Sequence, residues 1–128
     1  MGHRVRAKCL ECGKAFTVDH GGGFYFHFLR CEKCGKTKSI SFDRLGELHL
    51  RYLKGLPGPY CVVTSEHDKF VREQMDVVPM AEDEYHRGVE KVAGKCKCQG
   101  QYVFDAPPRC PKCHSAHIEE GEVTSMYD

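Results

Sequence analysis

Eight of the nine cysteines in this chain of 128 residues fall into four close pairs. The pairs are Cys9 with Cys12, Cys31 with Cys34, Cys96 with Cys98, and Cys110 with Cys113. Two thiolates this close in sequence can bind one metal ion, because the turn between them places both sulfurs on the same side. The pattern constrains the fold strongly, since a tetrathiolate metal site supplies folding free energy that a short segment cannot obtain from its own core.

Metal binding is favoured over disulfide bonding by three features of the chain. The cysteine count is odd, and the Cys-x-x-Cys spacing is typical of metal-binding turns. No apolar stretch follows Met1–Arg6, so we expect no secretory signal and a reducing, cytoplasmic location. No apolar run approaches the roughly 20 residues that would span a membrane, so no membrane partner is expected.

Loop closure predicts which pairs share an ion, because joining neighbouring pairs closes the shorter loops at a lower entropic cost. One ion is therefore expected on Cys9, Cys12, Cys31 and Cys34, and the other on Cys96, Cys98, Cys110 and Cys113. The second set departs from the usual spacing, with a Cys-x-Cys pair and His114 where glycine is common. His114 is expected to take the left-handed backbone conformation of that corner. The alternative is that His114 or His117 replaces Cys96 or Cys98 as a ligand.

These turns resemble those of the zinc-ribbon superfamily, in which two knuckles on hairpins hold one zinc ion. The segments that carry the resemblance are Cys9-Leu10-Glu11-Cys12-Gly13-Lys14-Ala15-Phe16 and Cys110-Pro111-Lys112-Cys113. The resemblance covers about 40 residues at one end and about 30 at the other, without the middle. It implies two structural zinc ions. Because similar knuckles occur in rubredoxin, it also implies iron as the less favoured alternative.

The expected fold is a small metal-stabilised α+β protein, with two zinc ribbons of short antiparallel hairpins joined by a helical middle segment. The expected domains are residues 1–42, 43–94 and 95–128. In the first, strands at 15–18 and 24–29 should form a hairpin around Gly21-Gly22-Gly23. The middle segment should contain helices over 43–56, 65–75 and 82–93, and a short strand over 60–63. The last should contain strands at 102–104 and 117–123.

A partner surface is expected on the first ribbon, because only the first third of the chain is basic. Residues 1–42 contain eight Lys or Arg against three Asp or Glu, whereas the whole chain has a formal net charge of +1. The candidate contact residues are Arg4, Arg6, Lys8, Phe26, Arg30, Lys36 and Lys38. Aromatic and basic side chains together can bind nucleic acid. Two zinc tetrathiolates would make the whole protein a net anion, which favours a protein partner.

No catalytic motif is present, since the chain has no His-Glu-x-x-His, no phosphate-binding Gly/Lys loop and no nucleophile elbow. A tetrathiolate zinc also has no open position for water. We therefore expect a binding or adaptor module for a protein or nucleic acid, not an enzyme, with no small-molecule substrate. The alternatives are a rubredoxin-like iron electron carrier and a metal-handling accessory protein. Cys61 is left without a partner and is expected to be a small buried residue.

Overall fold

A computed structural model describes residues 2–127 as a small α+β protein with two three-stranded antiparallel sheets and four helices. The strands are β1 (Gly2–Cys9), β2 (Ala15–His20), β3 (Phe26–Cys31), β4 (Thr37–Ser41), β5 (Tyr102–Val103) and β6 (Ile118–Tyr127). The helices are α1 (Phe42–Leu45), α2 (Glu47–Gly55), α3 (Ser65–Gln74) and α4 (Glu82–Ala93). None of these helices combines the length and the apolar character needed to cross a bilayer.

The two sheets are built in the same way, with the strand orders β2-β1-β6 and β4-β3-β5. Each contains a hairpin whose turn is a Cys-x-x-Cys knuckle, and each adds one strand from the C-terminal third. Strand β6 pairs with β1, and β5 pairs with β3. Both sheets therefore combine strands from residues 1–42 and 95–128. The division into three domains as separate folding units stays a prediction.

The predicted hairpin around Gly21-Gly22-Gly23 is wrong, because β2 and β3 belong to different sheets. Strand β2 pairs with β1, and Val18 lies opposite Val5 in a small apolar contact between the two strands. Strand β3 instead buries Leu29 and Cys31 in the main core. The glycine segment therefore connects the two sheets, and each hairpin turn is made by a knuckle.

The helical middle agrees with the sequence over α3 and α4 and differs over the first helix. The predicted helix over 43–56 is divided at Gly46, whose φ of 57° is left-handed. Ser41 caps α1 by accepting a hydrogen bond from the backbone N–H of Arg44 at 3.2 Å. Residues 60–63 form bends and a turn instead of the predicted strand. Helix α4 ends at Ala93, as the sequence predicted, and Gly94 is its C-cap.

The main core lies between the β4-β3-β5 sheet and the helices. It contains Leu29 and Ile40 from the sheet, Tyr85 and Val89 from α4, and also Cys31 and Cys96. The β2-β1-β6 sheet has only a small apolar cluster, formed by Val5, Ala7 and Val18 with Phe16 and Ile118 beside it. The β2-β1-β6 sheet thus obtains little stabilisation from apolar burial.

A hydrogen-bonded network of three polar side chains lies in the main core where β3, α2 and α4 meet. The Tyr85 hydroxyl lies 2.7 Å from Nε2 of His27 and 2.7 Å from Nδ1 of His49. All three side chains are buried, and the hydroxyl can donate to one imidazole while it accepts from the other. Burial raises the pKa of Tyr85 well above its usual value, so the hydroxyl stays protonated.

Replacing Tyr85 with phenylalanine is expected to lower the free energy of unfolding by about 2 kcal/mol, because two buried hydrogen bonds are lost and two imidazoles lose a partner. Tyr52 provides the matched control. Its ring stacks on Tyr85 at 4.0 Å, and its hydroxyl has no hydrogen-bond partner within residues 2–127. Chemical denaturation should show a change of less than about 0.5 kcal/mol for Tyr52→Phe. Equal losses in the two variants would contradict the network.

Candidate metal centres

The eight paired cysteines meet in two tetrads, and the tetrads combine the pairs differently from the sequence prediction. The outer tetrad contains Cys9, Cys12, Cys110 and Cys113, and the inner tetrad contains Cys31, Cys34, Cys96 and Cys98. The predicted grouping of neighbouring pairs is therefore wrong. Loop-closure entropy rises only with the logarithm of loop length, so it costs about 1 kcal/mol more to close the long loops than the short ones. The pairing of β1 with β6 and of β3 with β5 outweighs this difference.

Sulfur–sulfur distances in both tetrads fit a single tetrahedral ion. The distance is 3.5 Å from Cys9 Sγ to Cys113 Sγ, and 3.5 Å from Cys12 Sγ to Cys110 Sγ. In the inner tetrad, Cys31 and Cys98 are 3.4 Å apart, and Cys34 and Cys96 are 3.6 Å apart. A disulfide needs about 2.05 Å. Zinc–sulfur bonds of about 2.3 Å place neighbouring sulfurs about 3.8 Å apart. The donor set therefore fits a metal ion after a small expansion.

Three knuckles share one turn geometry, which explains how the sulfurs are presented. In each, the first cysteine's carbonyl accepts from the N–H four residues later, at 3.0 Å for Gly13, 3.1 Å for Gly35 and 2.9 Å for His114. The residue that donates this hydrogen bond has a positive φ, which is 78° for Gly13, 78° for Gly35 and 63° for His114. The prediction that His114 takes the left-handed corner is thus confirmed. The backbone N–H of Lys33 also donates to Cys31 Sγ at 3.4 Å, as that of Lys112 does to Cys110 Sγ.

The fourth knuckle is one residue tighter, as its Cys-x-Cys spacing requires. The carbonyl of Cys96 accepts from the N–H of Gln99 at 2.9 Å, and its own N–H donates to Gly100 O at 2.7 Å. Gln99 has a φ of 76° and performs the role of glycine in the other turns. Any side chain at Gly100 would collide with Cys31 Sγ. Sequence reasoning missed these two positions, although the Gln-Gly dipeptide after Cys98 was a usable signal.

The thiols of the inner tetrad have unequal pKa values, as four close sulfurs do when no cation is bound. The backbone N–H of Cys98, followed by the Tyr102 hydroxyl, lowers the pKa of Cys96 to about 6. Burial, followed by hydrogen bonds to neighbouring sulfurs, raises the pKa of Cys34 to about 12. Without a metal, one thiol of the tetrad is therefore charged and another stays protonated near neutral pH. A bound divalent ion would remove the repulsion among the thiolates.

The two tetrads differ in how they are built into the fold. Cys31 and Cys96 of the inner tetrad belong to the main core, whereas the outer tetrad adjoins the small β2-β1-β6 sheet. Arg109 connects them, because its Nε donates to Glu32 O at 3.1 Å and its Nη1 donates to His114 O at 3.0 Å. A side chain at Gly35 would meet Arg109, so the two knuckles pack closely.

Histidines take no part in either tetrad of residues 2–127, since both contain cysteine alone. The imidazole of His117 lies 3.0 Å from a carboxylate oxygen of Glu11, and His114 acts through its backbone. The alternative in which one of them replaces Cys96 or Cys98 is therefore not supported. Cys61, the ninth cysteine, is half-buried and lies 3.2 Å from the Thr64 hydroxyl.

The predicted partner surface is partly occupied by contacts within the protein. Arg4 is paired with Asp19 at 2.6 Å, and Arg30 donates to the carbonyls of Asp19 and Ala106. Lys38 donates to Ala93 O at the end of α4 and lies over the Tyr102 ring. Phe26 is half-buried and stacks on Tyr127. Arg6, Lys8 and Lys36 remain exposed.

The fold and the tetrads define a small α+β protein with two four-cysteine clusters that can hold metal ions. The chain belongs to the family described as Domain of unknown function (DUF8255), whose profile matches residues 5–119. The match includes all eight cysteines of the tetrads. No curated protein and no solved structure matches the chain.

Occupation of the inner tetrad is expected to strengthen metal binding at the outer one, because the loops are nested. Cys12 and Cys110 are 98 residues apart, and the inner tetrad joins the chain between them. Closing the inner loop shortens the effective outer loop to about 30 residues, which favours outer closure by about 1 kcal/mol, or ~sixfold in affinity.

Cys34→Ser should therefore weaken zinc binding at the outer tetrad at least about sixfold, as measured by competition with a chromophoric chelator. Cys61→Ser is the control, since Cys61 belongs to neither tetrad and should leave both affinities unchanged. Unchanged outer affinity in Cys34→Ser would contradict the nested arrangement.

Proposed function

We propose that this protein is a binding or adaptor module stabilised by two structural zinc ions, one in each tetrad. The observation that carries the proposal is that each tetrad consists of four sulfurs at mutual distances suited to one tetrahedral ion. Four thiolates leave no coordination position for water or substrate, so the metals support folding and do not take part in chemistry. Each ion and its two knuckles form a zinc-ribbon unit with one three-stranded sheet.

A protein partner is favoured over a nucleic acid by the state of the basic side chains. Arg4, Arg30 and Lys38 already donate to groups of the protein itself, which reduces the charge available for phosphates. Each zinc tetrathiolate adds two negative charges to a chain of formal net charge +1. Nucleic-acid affinity rests mainly on neutralised phosphates, so a net anion in which half of the six candidate basic residues already bind the protein itself is poorly suited to it.

Elemental analysis of the protein as purified tests the metal assignment. We expect two zinc atoms per chain and no colour, because zinc has a filled d shell. Iron in the same tetrads would give a red protein and would favour the electron-carrier alternative. One metal per chain, or none, would contradict the two-site proposal.

Retention on a polyanion column tests the choice of partner. Elution at low salt is expected, together with little change when exposed Lys36 is replaced by glutamate. Tight retention that falls steeply with salt and is lost in Lys36→Glu would show instead that the partner is a nucleic acid.

Leu10 is the corresponding position for testing a protein contact, because this apolar side chain is 47 % exposed on the outer knuckle. Leu10→Glu should then reduce capture of the partner by the zinc-loaded protein.

A further inference from the structure

A cavity of about 330 Å³ lies on the helical side of the molecule, away from both tetrads. Its apolar walls are Tyr25, Phe42 and Val63, and its polar lining includes His49 and His67. Tyr25 is 61 % exposed and Val63 is 52 % exposed, so the apolar mouth is open to solvent. Open, mostly apolar cavities with a few fixed polar groups are the usual form of ligand sites.

One polar group at this cavity is a buried imidazole with an unused nitrogen. The side chain of His49 is buried, with 6 % of its surface exposed, and its Nδ1 is hydrogen-bonded to the Tyr85 hydroxyl. Nε2 has no hydrogen-bond partner within residues 2–127. Phe42 stacks on the ring at 3.8 Å and fixes its orientation. Nε2 is not among the fully buried unpaired nitrogens, which within residues 2–127 are represented by Arg72 Nη1, so it keeps access to solvent and is available to a bound molecule.

The second polar group is an imidazole whose tautomer is fixed by a buried carboxylate. Asp68 is 2 % exposed, and its Oδ1 lies 3.2 Å from Nδ1 of His67. The other carboxylate oxygen, Oδ2, accepts from the Tyr60 backbone N–H at 2.8 Å and from the Thr64 hydroxyl at 2.7 Å. A carboxylate only accepts, so Nδ1 of His67 carries a proton, and Nε2 of the neutral ring can then accept a hydrogen bond. A ligand that suits His67 must therefore donate a hydrogen bond.

We propose that this cavity binds a phenolic ring, whose hydroxyl donates to Nε2 of His67 while the ring packs between Tyr25, Phe42 and Val63. The apolar walls select an aromatic ring, and offset or edge-on packing against Tyr25 and Phe42 adds to simple burial. The carboxylate of Asp43 also lines the cavity and disfavours an anionic ligand. A cavity of 150 Å³ can enclose benzene, so the volume is sufficient for a ring with a hydroxyl. The proposal does not rest on the adaptor function.

Titration of the zinc-loaded protein with p-cresol, followed by ¹H–¹⁵N correlation spectra, tests this site. We expect a dissociation constant of ~1 mM or below, with shifts confined to the residues of the cavity. Toluene has the same shape without the hydroxyl and should bind at least about fivefold more weakly. His67→Ala should remove this preference, with Oδ2 of Asp68 still held by the Tyr60 N–H and the Thr64 hydroxyl, and a native-like spectrum of the unliganded variant is the control.

Two tryptophan variants separate binding in the cavity from binding elsewhere. Val63→Trp should fill the mouth and abolish p-cresol binding, whereas Val78→Trp, at an apolar site 67 % exposed outside the cavity, should bind as the native protein does.

Titration with N-acetyltyrosinamide then identifies the source of the ring. Binding as tight as that of p-cresol indicates a tyrosine side chain of a partner, and weaker binding indicates a small molecule. The proposal is overturned by no p-cresol binding at about 10 mM, equally tight toluene binding, or equal affinity in the two variants.

Discussion

Replacing Cys31 with serine is expected to unfold the whole chain, whereas replacing Cys110 with serine should unfold only the β2-β1-β6 sheet. Both thiols are fully buried, so the two changes are matched in burial and in chemistry. Structural zinc contributes about 10–16 kcal/mol of binding free energy. That is as large as the whole stability of a typical domain, which is ~5–15 kcal/mol.

The difference between the two variants follows from where the sulfurs lie. Cys31 packs in the main core with Leu29, Ile40 and Tyr85, so loss of the inner ion disturbs the packing of sheet and helices together. Cys110 holds a sheet whose apolar cluster has three buried residues, and the main core does not depend on it. Hydrogen exchange should therefore show loss of protection throughout Cys31→Ser but only in β1, β2 and β6 of Cys110→Ser. Identical protection patterns in the two variants would contradict the account.

Stability is expected to fall steeply between about pH 6.5 and pH 4, because two core imidazoles must stay neutral in the folded state. Burial, with smaller contributions from His49 and His86, lowers the pKa of His27 to about 3. Burial lowers the pKa of His49 to about 4, against the opposing effect of Asp68. Unfolded histidine titrates near 6.5. Below that pH the unfolded chain binds protons that the folded chain cannot, so each imidazole costs about 1.4 kcal/mol per pH unit.

Comparison of the native protein with His49→Gln isolates this effect from acid release of the metals. Both proteins lose zinc through the same thiols, whereas the variant lacks one titrating imidazole. The free energy of unfolding of His49→Gln should fall less steeply with acidification, by about 1.4 kcal/mol per pH unit between pH 6 and pH 4.5. Zinc content measured in the same samples is the control. Parallel pH curves for the two proteins would mean that His49 is not held neutral by the fold.

The local parts of the fold could be predicted from the sequence because local chemistry determines them. Helix α3 follows the capping-like sequence Ser65-Glu66-His67-Asp68 at its start, and α4 follows the spacing of its apolar residues up to the glycine at position 94. The knuckle turns follow from Cys-x-x-Cys and a residue that accepts positive φ, including His114. All eight paired cysteines occur in the tetrads.

The long-range pairing could not be predicted in the same way. Loop-closure cost favours neighbouring pairs, but only logarithmically, and strand pairing across the whole chain is a larger effect. The match of Val5 on β1 with both Val18 and Val123 appears only once β1 is placed between β2 and β6. The cavity at His49 and His67 also depends on contacts between α2 and α3 that no local pattern records. Arg109, which connects the tetrads, was for the same reason indistinguishable from other surface basic residues.

The most direct test of the account is a crystal structure of the purified protein with anomalous data collected on both sides of the zinc absorption edge. We expect two zinc peaks per chain, one among Cys9, Cys12, Cys110 and Cys113 and the other among Cys31, Cys34, Cys96 and Cys98. A zinc ion shared by Cys9, Cys12, Cys31 and Cys34, or disulfides between any of these thiols, would contradict it.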